Sequence, residues 1–218
     1  MGCDVNSGNT KSESLEVFQV ITGRMSPEQG DILFSCPYIY PIEVDFEKKT
    51  TKQWVQKWHV IILGNSCDIE QDKVDLVLLC PIWEINKYIE NCKERFKLDE
   101  KYRKKFKNDE KELENQVKQL IKGASEDKRF GYTILPGVSQ PNFETEPWLV
   151  DFTNTYTLPL DFLKDFCGAD ENNTFRLRLK TDYRSDLIGK FNYFLLRVVL
   201  PSHEFNYKKK HQAYYQWH

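Results

Sequence analysis

The sequence predicts an α+β chain, mostly β, with a charged helical insertion and a packed C-terminal helix. Two apolar runs, WHVIILG and VDLVLLCPIW, flank a short polar link and are typical of neighbouring buried strands. A highly charged stretch with helical spacing of its apolar residues follows Trp83. A last apolar face with a helical period precedes Pro201 and predicts the C-terminal helix.

Composition favours a folded core and argues against several classes of protein. The 218 residues are 40% hydrophobic and 14% aromatic, which is typical of a globular chain. The net charge of -2 gives no overall reason to expect nucleic acid or an anionic membrane as partner. The chain has neither a membrane-spanning apolar run nor the apolar core of a secretion signal. We therefore expect a cytoplasmic protein whose 6 scattered cysteines are reduced.

We predict one domain with two flexible tails. The domain spans residues 26–205, the helical insertion spans 84–124, and the tails are 1–25 and 206–218. The segment SPEQGDILFSCPYIYPIEV predicts two short strand runs broken by prolines, and TFRLRLK predicts a half-exposed strand. The predicted apolar face of the C-terminal helix consists of Leu187, Phe191, Phe194, Leu195 and Val198.

The insertion carries an excess of positive charge. Residues 86–129 contain 14 Lys and Arg against 10 Asp and Glu, a net of +4 that leaves -6 for the remainder. In KYRKKFK, basic residues alternate with aromatic ones, a pattern that suits single-stranded nucleic acid. The structural alternative is a helical hairpin in which Phe96, Tyr102 and Phe106 pack inwards and the charges face solvent. The sequence alone does not decide between the nucleic-acid-binding pattern and the helical hairpin.

The polar link NSCDIE contains the catalytic candidates. Cys67 and Asp68 are adjacent, and His59 lies eight residues upstream on the preceding strand. A nucleophilic cysteine needs a histidine or a helix N-terminus nearby to lower its pKa. His59, Cys67 and Asp68 are therefore the candidates for catalysis. The structural alternative is that Asp68 caps a turn while Cys67 packs as a small hydrophobic residue.

A second set of residues suits binding. Arg197 lies in an otherwise apolar segment, FLLRVVL, so it either reaches solvent or pairs with a carboxylate, Asp151 or Asp68. Together with Arg184 it would form an arginine-lined site for a phosphate or carboxylate group. The aromatic candidates for the floor of a groove are Trp58, Tyr132 and Trp148, and the structural alternative is that these rings belong to the core and its rim. The sequence has no zinc spacing, P-loop, GxGxxG, HExxH or GxSxG motif, so we predict no metal and no cofactor.

Residues 30–83 resemble the toxins of the MazF/PemK type. Gly30-Asp31-Ile32, Val60-Ile61-Ile62-Leu63 and Cys80-Pro81-Ile82 occur in the order found in that family. The resemblance implies an SH3-like small barrel, a homodimer, a toxin–antitoxin role and cleavage of single-stranded RNA. Lys57-Trp58-His59 stands where that family has its arginine, and Trp83 stands where it has Ser or Thr, so both catalytic positions depart from the pattern.

From Gly30 to Pro201 the chain is also similar to a group of uncharacterised bacterial proteins. The shared pattern consists of a polar-Cys-Asp turn, an aromatic-X-X-Leu-Pro segment, a Val-Asp-Phe strand and a helix that begins near Tyr183-Arg184 and ends near Arg197-Val198. This resemblance implies no established activity.

Three functional hypotheses follow. The leading one is a cytosolic bacterial accessory protein that binds RNA, another nucleic acid or a protein on the barrel face near Cys67 and Asp68, with Arg184 and Arg197. The second is a MazF/PemK-like RNA endonuclease with a rearranged site. The third is a hydrolase that depends on Cys67.

Overall fold

The structure is a computed structural model that describes residues 17–21, 25–45, 47–140, 143–168 and 176–199. These residues form one antiparallel eight-stranded sheet with helices on both faces, and a separate pair of short strands. The predicted α+β class, mostly β, is confirmed. The predicted tail at 206–218 and most of the predicted tail at 1–25 lie outside the described residues.

The strands are β1 (Phe18–Ile21), β2 (Asp31–Asp45), β3 (Thr50–Ile62), β4 (Leu76–Glu84), β5 (Tyr132–Leu135), β6 (Ser139–Gln140), β7 (Phe143–Glu144), β8 (Trp148–Asp151), β9 (Tyr156–Pro159) and β10 (Arg176–Leu179). The helices of the described part are α1 (Ser66–Glu70), α2 (Ile85–Leu98), α3 (Glu100–Lys105), α4 (Glu110–Ser125), α5 (Leu160–Gly168) and α6 (Thr181–Val199). A 3₁₀ turn covers Phe152–Asn154.

The main sheet is open. Its strand order is β1-β10-β2-β3-β4-β8-β5, and β9 pairs with the first half of β4. Within the described residues β1 and β5 are not paired, so the closed SH3-like barrel is not confirmed. Strand β1 lies inside the predicted N-terminal tail, and its residues Phe18 and Ile21 are buried. The folded part therefore begins earlier than the predicted residue 26.

Each face of the sheet has its own apolar core because side chains alternate along the strands. Ile61 of β3 packs with Leu187 and Phe191 of α6 on one face, called here the α6 face. Val60 and Ile62 pack with α5 on the opposite face, called here the α5 face. The predicted C-terminal helix is confirmed, although Leu195 is 41% exposed rather than part of its apolar face.

The insertion has a third core. It contains three helices, α2, α3 and α4, rather than the predicted helical hairpin. Phe96 and Phe106 are buried between them, and Tyr102 is partly buried against the same cluster. The aromatic residues of KYRKKFK therefore pack inside the insertion, as the structural alternative predicted, and are not presented to a nucleic acid strand.

Strands β2 and β3 extend beyond the rest of the sheet as a two-stranded ribbon. Strand β10 pairs with β2 only at Asp31 and Ile32, and β4 pairs with β3 only from His59 onwards. Residues 36–58 are called here the arm. The predicted pair of short runs is in fact one long strand, and Pro37 and Pro41 fit into it because the outer edge of β2 carries no partner strand there among the described residues.

Candidate functional site

Four aromatic side chains from four different strands meet on the α5 face of the sheet. Tyr38 of β2 and Trp58 of β3 stack with ring centroids 3.7 Å apart and an interplanar angle of 10°. Trp83 of β4 meets Trp58 edge-on at 5.1 Å, and Tyr156 of β9 meets Tyr38 edge-on at 5.0 Å. All four side chains are partly exposed. They are called here the aromatic platform.

Strand register explains why these rings meet. Trp58 pairs with Cys36, so Tyr38, two residues further along β2, is its diagonal neighbour on the same face. Trp58 and Tyr156 pack against the edge of the buried cluster under α5. The platform therefore borders the buried cluster to which α5 contributes.

Two polar contacts orient the rings of the platform. The indole N–H of Trp58 donates to Oε1 of Gln56 at 3.1 Å, and the Tyr156 hydroxyl donates to the Pro37 carbonyl at 3.3 Å. Burial raises the pKa of the Tyr156 hydroxyl, which keeps it protonated as a donor. The result is a preorganised apolar surface that suits stacking of a planar group.

The platform extends along the arm. Trp54 precedes Trp58 by four residues on β3, so alternation places the two side chains on the same face. Its side chain is 55% exposed, although tryptophan is among the most apolar side chains. On the opposite face of the arm, Ile39 and Val55 form a cross-strand pair that is also exposed.

Two segments that contain or directly follow platform residues in the sequence have a net positive charge, in a chain whose net charge is -2. The insertion, with its net charge of +4, begins at Ile85, two residues after Trp83. The charged residues of the arm are four lysines and three acids: Lys48, Lys49, Lys52, Lys57, Glu43, Asp45 and Glu47. An anionic ligand on the platform would thus meet a favourable local balance of charge.

The polar link between β3 and β4 is a short helix rather than a turn. Oδ1 of Asn65 accepts a hydrogen bond from the Cys67 N–H at 3.0 Å and caps α1, while Ile69 is buried beneath it. The expectation that Asp68 caps a turn is therefore wrong, because Asn65 does so. The expectation that Cys67 is buried is also wrong, because its side chain is exposed.

His59 lies among neighbours other than Cys67 and Asp68. Its Nδ1 accepts a hydrogen bond from the Ser35 N–H at 3.1 Å, and its ring meets Phe34 edge-on at 5.2 Å. Burial lowers the pKa of the imidazole, Lys87 lowers it further, and Glu84 opposes them. The expected catalytic set of His59, Cys67 and Asp68 is therefore not assembled around His59.

Asp31 is fully buried in a cluster of arginines. Arg178 holds it with two hydrogen bonds, Nε to Oδ1 at 2.5 Å and Nη2 to Oδ2 at 3.0 Å, and Nε of Arg176 lies 3.1 Å from Oδ2. Burial raises the pKa of the Asp31 carboxyl against the pull of both arginines, whereas Asp31 and Glu28 outweigh burial and raise the pKa of the Arg178 guanidinium. The two-bond geometry favours the ionised pair.

The predicted half-exposed strand in TFRLRLK is therefore wrong for its polar positions. Arg176 and Arg178 are only 6% and 8% exposed. Arg176 Nη2 also donates to the carbonyls of Met25 and Ser26 at 2.5 and 3.0 Å. These contacts attach the chain before β2 to β10, which explains why strongly charged side chains occupy a buried strand.

Arg184 lies near the start of β2. Its Nη1 donates to the Gln29 carbonyl at 3.4 Å and lies 3.8 Å from Glu28. The Gln29 N–H donates to Oγ of Ser66 at 3.1 Å, so Arg184 and the polar link are joined through one residue. Gly30 has a φ of +85°, and a side chain there would meet Arg184 Cδ at 3.1 Å, which explains the glycine.

Arg197 does not join Arg184. They are thirteen positions apart on α6, which corresponds to about 20 Å along the helix axis. The Arg197 guanidinium lies 3.9 Å from the centroid of the Phe130 ring. The Asp151 carboxylate instead accepts the Thr153 N–H at 3.0 Å and begins the 3₁₀ turn. The expected pairing of Arg197 with Asp151 is therefore wrong.

Tyr132 lies away from the platform. Burial and the nearby Asp151 raise the pKa of its hydroxyl. Its ring lines a separate cavity with Phe152 and Lys190. Trp58 and Tyr132, both predicted to floor a groove, thus belong to two different surfaces.

Sequence reasoning missed three members of the platform, Tyr38, Trp83 and Tyr156. The signal for the first was present, because PYIY and WVQKW both repeat aromatic residues with a period of two or four. Trp83 was noted only for its departure from the MazF/PemK pattern. Its role depends on the register between β3 and β4, which a single sequence does not contain.

Among the residues that the structure describes, no group of three or more His, Cys, Asp or Glu could hold a metal ion. None of the described helices combines the length and the apolar composition that a membrane span requires. Comparison of the chain with protein-family models, with curated proteins and with solved structures gives no match in any of the three. The resemblance to the MazF/PemK toxins therefore stays a prediction.

Proposed function

We propose that the protein is a cytosolic accessory protein that binds single-stranded nucleic acid on the aromatic platform. The observation that carries the proposal is the convergence of Tyr38, Trp58, Trp83 and Tyr156, from four strands, on one partly exposed patch of the sheet. Proteins that bind single strands without sequence preference use such rings, on which successive bases stack. Trp54 extends the surface along the arm.

Local charge supports a nucleic acid rather than an uncharged ligand. The insertion that starts beside Trp83 has a net charge of +4, and the arm adds one further positive charge. Phosphate contacts release counterions, so binding at such a surface weakens as the salt concentration rises. A duplex hides the faces of its bases and would bind less well than a single strand.

The proposal is for binding without cleavage. An RNA-cleaving or cysteine-dependent site needs an acid–base pair or a nucleophile with its base within hydrogen-bonding reach. His59 contacts Ser35 and Phe34, whereas Cys67 is exposed on α1. Among the described residues, no contact of this kind supports the endonuclease or the hydrolase hypothesis. A protein partner is the alternative occupant of the platform. The oligonucleotide-binding experiment described next distinguishes the two occupants.

Fluorescence anisotropy with labelled 12-nucleotide oligomers tests the proposal. Wild-type protein should bind single-stranded RNA or DNA more tightly than the matching duplex, and its affinity should fall with added salt. Trp58→Ala and Trp83→Ala should each weaken binding roughly 5- to 150-fold, the usual effect of losing one stacking ring. Tyr183→Ala is the matched control, because it removes an exposed aromatic ring from α6.

The result that would overturn the proposal is equal binding of single strand and duplex, or no binding at low salt. An equal loss of binding in Tyr183→Ala would show that any exposed ring contributes. Intact oligomer after long incubation is expected. Cleavage that depends on His59 or Arg184 would favour the endonuclease hypothesis instead.

A further inference from the structure

A second site is indicated by a cavity on the other side of the molecule. The cavity has a volume of about 290 Å³ and lies between the turn after α4 and the middle of α6. This size is close to the lower end of the range for pockets that hold small molecules. A cavity of this size is too small for a polymer strand, which binds in an open groove.

Four aromatic residues line the cavity. Phe130 and Tyr193 meet with centroids 5.2 Å apart, and Phe152 is buried at 1% exposure where it packs on Phe191. Tyr132 completes this set of rings. A planar ligand ring could stack on these aromatic side chains. Aromatic pairs stabilise a complex by more than their buried area alone accounts for.

The charges of the cavity are held in place by ion pairs. Lys190 Nζ lies 2.9 Å from Oδ1 of Asp127 and 2.8 Å from Oδ2 of Asp186. Partial burial acts to lower the pKa of Lys190, but the two carboxylates outweigh it and raise that pKa, so the side chain stays charged.

Two further cations shift the balance of charge. Arg129 also lines the cavity, which makes two cations against two carboxylates. Arg197 lies directly outside, over Phe130. The four charged residues that line the cavity balance one another, and Arg197 beside Phe130 adds a positive charge, which favours a ligand with an anionic group.

Gly189 leaves one part of the cavity wall without a side chain. It lies inside α6, where glycine is less favourable than alanine, and it lines the cavity. A Cβ added there would meet no atom within 4 Å, so packing does not require a glycine. An occupant that lies against the helix at this point would explain the missing side chain.

We propose that this cavity binds a planar aromatic ligand with one anionic group, such as a nucleoside 5′-monophosphate. The base lies against the rings of Phe130 and Tyr193, and the phosphate lies towards Lys190 and Arg129. The same chemistry occurs in a free nucleotide and at the phosphorylated 5′ end of a strand. The inference does not depend on the function of the aromatic platform, because α6 packs on the opposite face of the sheet.

Isothermal titration calorimetry of the full chain tests the inference. The probes are AMP, CMP, GMP and UMP, with the matching nucleosides and ribose 5-phosphate as the two half-ligands. At least one monophosphate should bind, and both of its halves should bind roughly tenfold more weakly or worse. A 5′-phosphorylated tetranucleotide distinguishes the two sources: binding as tight as the monophosphate indicates a strand end, and loss of binding indicates a free nucleotide.

Variants assign any binding to the cavity. Gly189→Leu should abolish monophosphate binding by filling the space, whereas Ser185→Leu, a matched change at an exposed position on α6, should preserve it. Lys190→Gln should weaken the monophosphate roughly tenfold or more and leave the nucleoside unchanged. Circular dichroism confirms that each variant is folded.

The inference is overturned if no monophosphate binds wild-type protein, or if Gly189→Leu binds as well as wild type. Equal affinity for the nucleoside and the nucleotide would refute the proposed recognition of an anionic group. Trp58→Ala should bind the monophosphate normally, and Gly189→Leu should bind the 12-nucleotide oligomer normally. Failure of one site is therefore distinguishable from failure of the other.

Discussion

The indole ring of Trp58 lies flat on the phenol ring of Tyr38, with centroids 3.7 Å apart and planes within 10° of parallel. The two residues come from adjacent strands and are diagonal neighbours in the register of β2 and β3. They belong to a ribbon that has no third strand among the described residues. Because isolated two-stranded ribbons are marginal in water, this stack is expected to hold the base of the arm together.

A double-mutant cycle tests the energetic coupling of this pair. Tyr38→Ala and Trp58→Ala should each lower the free energy of unfolding, and their coupling should be about 0.5–1.5 kcal/mol, which is typical of aromatic pairs. The measurement is urea denaturation of the two single variants and the double variant. A control cycle pairs Trp58→Ala with Tyr183→Ala on α6, for which additive effects are expected. Additivity in both cycles would mean that the stack contributes nothing.

The buried carboxylate of Asp31 is expected to be the most sensitive polar position of the fold. Asp31→Asn leaves Arg178 with Glu28 as its carboxylate partner but leaves Arg176 with an uncompensated buried charge, which typically costs about 3–5 kcal/mol. Thermal and urea unfolding measure the loss. Asp68→Asn, an equal chemical change at a partly exposed position, is the control and should alter stability by less than about 0.5 kcal/mol. Similar losses in both variants would contradict the structural role assigned to Asp31.

The contrast between β3 and β10 shows which features of a strand the local sequence predicts and which it does not. The run WHVIILG is apolar enough to indicate a buried strand without any partner, and Val60 and Ile62 are indeed fully buried. The alternation in TFRLRLK is typical of a strand with one solvent-exposed face. Arg178 is nevertheless buried, and it pairs with Asp31, which lies 147 positions earlier in the sequence. Pairing over such a distance depends on strand order, and local periodicity contains no information about it.

The same limit applies to the candidate site. The sequence indicated Trp58 as a binding residue, but the rings around it come from strands whose register is set by the whole sheet. The prediction groups Arg184 and Arg197 as arginines that a barrel could bring together. Their separation of about 20 Å follows from helix geometry alone and could have been predicted. Cys67 and Asp68 were predicted in a turn, whereas the Asn65 cap makes the same residues a helix.

The thiols should differ sharply in reactivity. Burial raises the pKa of Cys36 to about 12 and that of Cys167 to about 11, whereas Cys67 is exposed on α1. In a Cys3→Ser background, an aromatic disulfide reagent should label one thiol rapidly, and Cys67→Ser should remove that phase. Denaturant should release the slow thiols. Rapid labelling that persists in Cys67→Ser would show that one of the buried cysteines is accessible.

His59 should make stability depend on pH in the mildly acidic range. Burial and Lys87 lower its pKa in the folded state below the ordinary value of 6.5, against the opposing effect of Glu84. The folded protein thus binds this proton more weakly than the unfolded chain does. His59 therefore makes its full contribution to the free energy of unfolding at pH values above its unfolded-state pKa. That contribution is lost as the pH falls towards the folded-state pKa, and it does not change further at lower pH.

Protonation also removes the acceptor for the Ser35 N–H, at a bulge where Ser35 has a φ of +56°. The free energy of unfolding, measured in urea from roughly pH 8 to pH 5, should therefore fall more steeply for wild type than for His59→Gln. Glutamine does not titrate, and its side-chain oxygen can still accept from Ser35. The difference between the two curves cancels the other titrating groups, so parallel curves would exclude His59 as the source of the pH dependence.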